Sequence, residues 1–283
     1  MRSLEHGAPL DALDSRQTFA PSGFLGAIGS FFFKTFVITE LEIRRLSHDF
    51  TELITRAVQP ALWLLVFGEV FTRMRAIPTG NLRYIDFMAP GILAQSVLFI
   101  AIFYGISLVW ERDLGIIHKF MVSPTPRAAL VLGKAFSAGV RSLSQAVIIY
   151  LLALALGVHM RWSPISLLLV LCIVILGAAF FSTLSLIIAC TVKTRERFMG
   201  IGQLLTMPLF FASNAIYPIS IMPRWLQVIS HGNPLTYEVD ALRGLMVVGG
   251  VNAYPIGLDI LVLVGATVLL IGIAARLYPR VVA

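Results

Sequence analysis

The chain has 283 residues, 58% of them hydrophobic and 13% charged, with a mean hydropathy of +0.86. A soluble domain carries about 25% charged residues, and one core cannot hide this surplus of apolar side chains. That points to a multi-span membrane protein, excludes soluble enzymes and DNA-binding domains, and reassigns the net charge of +7 from nucleic acid to basic loops beside a membrane.

Residues 1–29, with Pro9 and Pro21 and no apolar periodicity, read as a cytoplasmic tail without a signal peptide. Over 30–53 Phe36, Ile43 and Phe50 repeat at seven, with Phe32, Leu46 and Leu53 on the adjoining row, while Glu40, Arg44, Arg45, Ser47 and Glu52 are polar. The pattern predicts an amphipathic helix lying in the membrane interface. Six spans are expected in the domain 54–277, each measured against the ~20 apolar residues a bilayer needs. They run over about 54–72, Phe87–Trp110, 129–157, Ser163–Val192, Phe198–Pro223 and about Ile256–Ala275. The fold class is therefore all-α, with a short tail at 278–283.

Segment 211–243 is too apolar for a solvated loop, and Pro218, Pro223 and Pro234 break it too often for a span. Irregular backbone at membrane depth must be satisfied by protein or a wet cavity, so short re-entrant helices are expected there. Fifteen of the 22 basic residues fall on one side of this topology and six on the other. That bias puts both termini in the cytoplasm. The two cysteines, Cys172 and Cys190, lie on one helix about 27 Å apart and read as packing residues.

No phosphate-binding loop, metal-binding spacing or nucleophile motif occurs, and the five histidines are scattered. Arg141 lies inside the third span, where a charge should face a bundle interior or cavity, as a polar element of a substrate pathway or as half of a structural ion pair. Glu69 is the acid at related depth, and snorkelling to the interface is the competing reading. Aromatic side chains Phe99, Phe103, Tyr104, Phe180, Phe210, Phe211 and Tyr217 offer surfaces for a substrate pathway, with lipid contact or helix packing as the plainer alternative. A proton-coupled secondary transporter predicts acids at mid-span. Here Glu69 and Asp259 lie near span ends.

Three stretches carry a resemblance: APGILAQSVLF at 89–99, WERDLGIIHKFMVSPTPRAALVLGKAF at 110–136, and NPLTYEVDALRGLM at 233–246. They resemble the permease subunits of bacterial ABC exporters of drugs and lipo-oligosaccharides, of the daunorubicin-resistance and nodulation-export kind. The resemblance implies a permease in the bacterial inner membrane, without enzymatic activity, paired with a second permease copy or relative. It also implies a separate nucleotide-binding ATPase subunit that holds ATP and Mg, leaving this chain without a cofactor. It makes 111–127 a coupling loop, with Glu111, Arg112, Asp113, Leu114, Gly115, Lys119, Phe120, Met121 and Arg127 at or near the ATPase. The 30–53 helix becomes its connecting helix, and the substrate an amphipathic drug, antibiotic or lipid-like molecule, or else a polysaccharide or lipo-oligosaccharide.

Overall fold

The computed structural model describes residues 58–74, 77–115 and 127–278, with the side chains of 127–129 excepted. The tail, the 30–53 helix and most of the 111–127 loop lie outside these residues. Four helices among those described are long and apolar enough to cross a membrane: Tyr84–Asp113, Leu130–Ala155, Pro164–Thr191 and Ile256–Leu277. In chain order the helices are α1 (58–74), α2 (Tyr84–Tyr104), α3 (Ile106–Asp113), α4 (Arg127–Ala155), α5 (Pro164–Thr191), α6 (Arg195–Phe211), α7 (Arg224–Gly232), α8 (Pro234–Met246) and α9 (Ile256–Leu277). Helix α3 continues α2 through a slight break at Gly105. Helix α1 contains a π-helical turn at Trp63–Gly68.

Helix α5 sits at the centre, packed against α2, α4, α8 and α9. It is uncharged, and one side presents Gly177, Ala178, Ser182, Ser185 and Ala189, all buried. Small residues let helix backbones approach closely where lipid supplies no hydrophobic drive for association. Gly177 shows the effect: a Cβ there would collide with the Glu238 carboxylate. Further along, the Ser185 hydroxyl donates to the Ile102 carbonyl of α2.

The segment expected to be broken is helical but discontinuous. Helix α6 ends at Phe211 rather than continuing to Pro223. There the Ser213 hydroxyl takes the Phe210 carbonyl at 2.7 Å and accepts from the Ala215 amide at 3.3 Å, a local bonding pattern that competes with helix. Helix α7 exposes Trp225, Val228 and Ile229, an apolar row at helical spacing. Helix α8 starts at Asn233, whose side chain accepts from the Leu235 amide and donates to the Leu209 carbonyl. It then packs along α2, α5 and α9.

Helix α8 is buried despite carrying three charged residues. Asp240 accepts from the backbone amides of Ala253 and Tyr254, each at 2.9 Å, and from Asn214 Nδ2 at 3.4 Å. Arg243 donates to the Asn214 carbonyl at 2.6 Å and lies 3.8 Å from the Phe87 ring centroid. At the same end the 157–161 turn pairs with 246–248: the Arg161 amide donates to the Met246 carbonyl and the Val248 amide to the His159 carbonyl. Removing the Asp240 carboxylate would leave two part-buried amides without their acceptor. Asp240→Ala is expected to destabilise the fold by about 2–4 kcal/mol, read as a lower thermal unfolding midpoint in micelles, with Asp240→Asn in between. An unchanged midpoint for Asp240→Ala would contradict this account of the joint.

Candidate functional site

The residues of interest fall at two ends of the bundle and in its middle. At the end bearing Asp113 and Lys193, α3 runs out through Trp110, Glu111, Arg112 and Asp113, and Gly115 closes it with φ +69°, a conformation suited to glycine. Lys134 of α4 donates to Glu111 Oε1 at 2.7 Å. Arg112 donates to the carbonyls of Val192 and Lys193 at 2.9 and 2.6 Å, placing a cation on the carboxyl end of α5. Asp113 Oδ2 accepts from Arg195 Nη2 at 2.8 Å. The Arg195 guanidinium in turn stacks 3.4 Å from the Trp110 ring centroid. Nearby, burial pushes the Tyr278 hydroxyl well above the usual tyrosine range.

These contacts join α3, α4 and the α5–α6 connection at one point. Glu111, Arg112 and Asp113, expected at or near a partner's surface, spend their polar groups largely inside the chain. Leu114 is exposed beside them. Lys119, Phe120 and Met121 lie outside the described residues, as does the side chain of Arg127. Sequence reasoning missed Lys134, Arg195 and Trp110 as partners. The available signal was the set of basic residues assigned to the same membrane side as Glu111 and Asp113.

In the middle, the predicted pathway residues separate. Phe99 and Phe103 lie one turn apart on α2, their rings nearly parallel with centroids 6.0 Å apart. They help to line a cavity of about 420 Å³ with Gln59, Pro60, Gln95, Ser96, Ile100, Gln145 and Met199. Tyr104 is buried, its ring centroid 5.5 Å from the Arg141 guanidinium and 6.0 Å from Lys134 Nζ. Arg141 therefore meets an aromatic face. Glu69 instead pairs with Arg73 at 3.0 Å on its own helix. Phe180 packs edge-on to Phe181 in the core, and fully buried Phe210 packs edge-on to Trp63. Phe211 is exposed, and its carbonyl accepts the Tyr217 hydroxyl at 2.6 Å; partial burial raises that hydroxyl's pKa. The structure thus brings Phe99 and Phe103 together at a cavity. Phe180 and Phe210 are packing residues.

At the opposite end Asp86 binds Arg83 at 2.9 Å, the His159 ring at 3.1 Å and the His159 amide at 3.1 Å. Its hydrogen bond raises the Arg83 pKa. A second cavity of about 540 Å³ lies here, lined in part by Phe87, Asn214, Asp240, Arg243 and Asn252. Sequence reasoning also missed Glu238. It is fully buried, with both carboxylate oxygens unpaired among the described residues, against Gly177, about 20 Å along α5 from its start. No cluster of histidine, cysteine or acidic residues among those described is arranged to hold a metal.

A family model described as ABC-2 type transporter matches residues 34–247. The chain is 31% identical to the putative transport permease ycf38 of Cyanophora paradoxa, over 77% of each chain. It is 25% identical to the daunorubicin resistance ABC transporter permease protein DrrB1 of Streptomyces coeruleorubidus, over 82% of this chain and 81% of that one. Nodulation protein J of Rhizobium leguminosarum bv. trifolii is also 25% identical, over 69% of this chain and 73% of its own. The match extends across both ends of the bundle and the cavity between them, and the chain belongs to the ABC-2 type transporter family of membrane permeases.

Proposed function

We propose that this chain is the membrane subunit of an ATP-driven exporter, working with a separate nucleotide-binding subunit and a second permease. The substrate is an amphipathic molecule: a drug, antibiotic or lipid-like compound, with a lipo-oligosaccharide as the alternative that the nodulation relative suggests. The membrane is the bacterial inner membrane, and the excess of basic residues on one side supports cytoplasmic termini. Six spans follow if α1 and α6 cross beside the four long helices. Helix α6 has 17 residues, about 25 Å, against a hydrocarbon core of about 30 Å.

The observation that carries this reading is the joint at the Asp113 end. A permease does no covalent chemistry; it must turn a partner's closure into a rigid shift of helices. A docking segment at 111–127 serves that purpose only if its push reaches more than one helix. Here Glu111–Lys134, Arg112–Val192 and Asp113–Arg195 tie its beginning to α4 and to the α5–α6 connection. Exposed Leu114, and beyond it Phe120 and Met121, then provide the apolar anchorage, while ATP and Mg stay on the partner.

Three experiments test this. Gentle solubilisation of membranes containing the tagged chain should bring down a soluble ATPase in stoichiometric amount, lost when 111–127 is scrambled. A chain that purifies alone and transports without ATP would overturn the proposal. Glu111→Lys sets two largely buried cations side by side and should cut substrate-stimulated ATP hydrolysis about tenfold in proteoliposomes, while Glu111→Lys with Lys134→Glu restores most of it. Equal activity in the single and double variants would remove the joint from the mechanism.

The third concerns α7 and α8 as a re-entrant pair near the outer surface. In a chain with Cys172 and Cys190 replaced by serine, Val228→Cys should resist an impermeant maleimide in sealed membranes and react once detergent strips the lipid. Ser220→Cys should react in both. Equal labelling of the two in membranes would make 211–243 an ordinary exposed loop.

A further inference from the structure

At the Asp86 end, α4 and α5 leave a groove between them on the surface of the bundle. Its floor is Ala146 and Val170, each 1% exposed. Val147, Leu151 and Leu154 of α4 form one wall, and Leu167 and Leu171 of α5 the other. All of these wall residues except Leu167 are large apolar side chains left exposed. The groove holds about 290 Å³. Its lining offers two polar side-chain atoms, the Tyr150 hydroxyl, which is buried out of reach, and the Trp162 indole nitrogen.

Depth in the membrane narrows the occupant. Val147 lies eight residues before the end of α4 at Ala155, and Leu171 seven after the start of α5 at Pro164, about 12 and 11 Å along their helices. Half of a hydrocarbon core is about 15 Å. The groove therefore runs through most of one leaflet and stops short of the midplane. Exposed Trp162 marks its mouth, the ring packed edge-on to Tyr150 with centroids 6.2 Å apart. Tryptophan concentrates at the level of lipid headgroups.

The residue before Trp162 adds a charge. Arg161 is exposed, and its amide is fixed by donation to the Met246 carbonyl at 2.8 Å. Other arginines at this end are engaged within the chain: Arg73 by Glu69, Arg83 by Asp86 and Arg243 by the Asn214 carbonyl. The Arg161 guanidinium pairs with no acid or carbonyl among the described residues. A cation one residue from the mouth of an apolar groove complements a ligand with a phosphate above and a hydrocarbon chain below.

We propose that this groove binds an anionic glycerophospholipid, one acyl chain lying between α4 and α5 and the phosphate paired with Arg161. On the orientation proposed above, the lipid belongs to the outer leaflet. It touches both helices at once and so stabilises their packing at that end. The site holds whether or not the chain exports anything, so its failure leaves the proposed function untouched.

The test uses the full chain in mild detergent, stripped of native lipid and titrated with palmitoyl-oleoyl phosphatidylglycerol. Native mass spectrometry counts the bound lipid, and the thermal midpoint reports its effect. One lipid per chain should bind ahead of the rest, and the midpoint should rise with its occupancy. Phosphatidylcholine with the same chains carries its own cation and should bind this site about tenfold more weakly. Arg161→Gln should weaken phosphatidylglycerol binding about tenfold. Leu151→Trp, which fills the groove with an apolar ring, should weaken both lipids about tenfold. Neither variant should shift the midpoint before lipid is added, because both side chains are exposed.

Many lipids bound with equal affinity, indifferent to both substitutions, would make the groove part of the ordinary lipid annulus and overturn the proposal. A site lost in Leu151→Trp but insensitive to headgroup and to Arg161→Gln would accept any hydrocarbon chain, and would overturn it too. Dissociation of a dimer of this chain by Leu151→Trp, before lipid is added, would show that a second copy covers the groove and would also overturn it.

Discussion

Backbone within a hydrocarbon layer must find its hydrogen bonds inside the protein, and one carboxylate meets that demand where the chain is most broken. Asp240 accepts from the amides of Ala253 and Tyr254, just before α9 begins, and from Asn214, just after α6 ends. Its own carbonyl accepts from Asn252. Two interruptions of the helical chain are thus closed on one residue of α8. Arg243 completes the arrangement from the same helix: its guanidinium takes the Asn214 carbonyl and stacks on Phe87 of α2. The prolines that fragment this region are permissible because α8 carries its partners with it.

The two ends of the bundle are fastened in different ways, with consequences for what can move. At one end the backbone itself is paired, 157–161 with 246–248, and Asp86 pins the turn through both the ring and the amide of His159. At the other end every contact runs through a side chain: Glu111 with Lys134, Asp113 with Arg195, Arg195 with Trp110, and Arg112 with the carbonyls of Val192 and Lys193. Partly exposed pairs of this kind are individually weak, yet they converge on a few residues of α3. Such a joint holds its helices together as a block while offering little resistance to rearrangement of the block as a whole. That combination suits a lever driven by a partner, and a hinge at the paired end.

Much of this architecture is legible in the amino-acid sequence. The uncharged runs of α2, α5 and α9 mark spans by length alone, and the prolines after Phe211 mark the broken region. What escapes is whatever depends on a second helix. Glu238 sits in a segment that reads as lying near the outer surface, yet the missing side chain of Gly177 admits it beside the middle of α5. Depth along the sequence matches Arg141 with Glu69, but Glu69 finds Arg73 one turn away and Arg141 finds the ring of Tyr104. The aromatic residues illustrate the same limit. Phe99, Phe180 and Phe210 are alike in the sequence, and only packing separates the wall of a cavity from two core residues. Hydropathy reports that a helix is buried in something; it does not report in what.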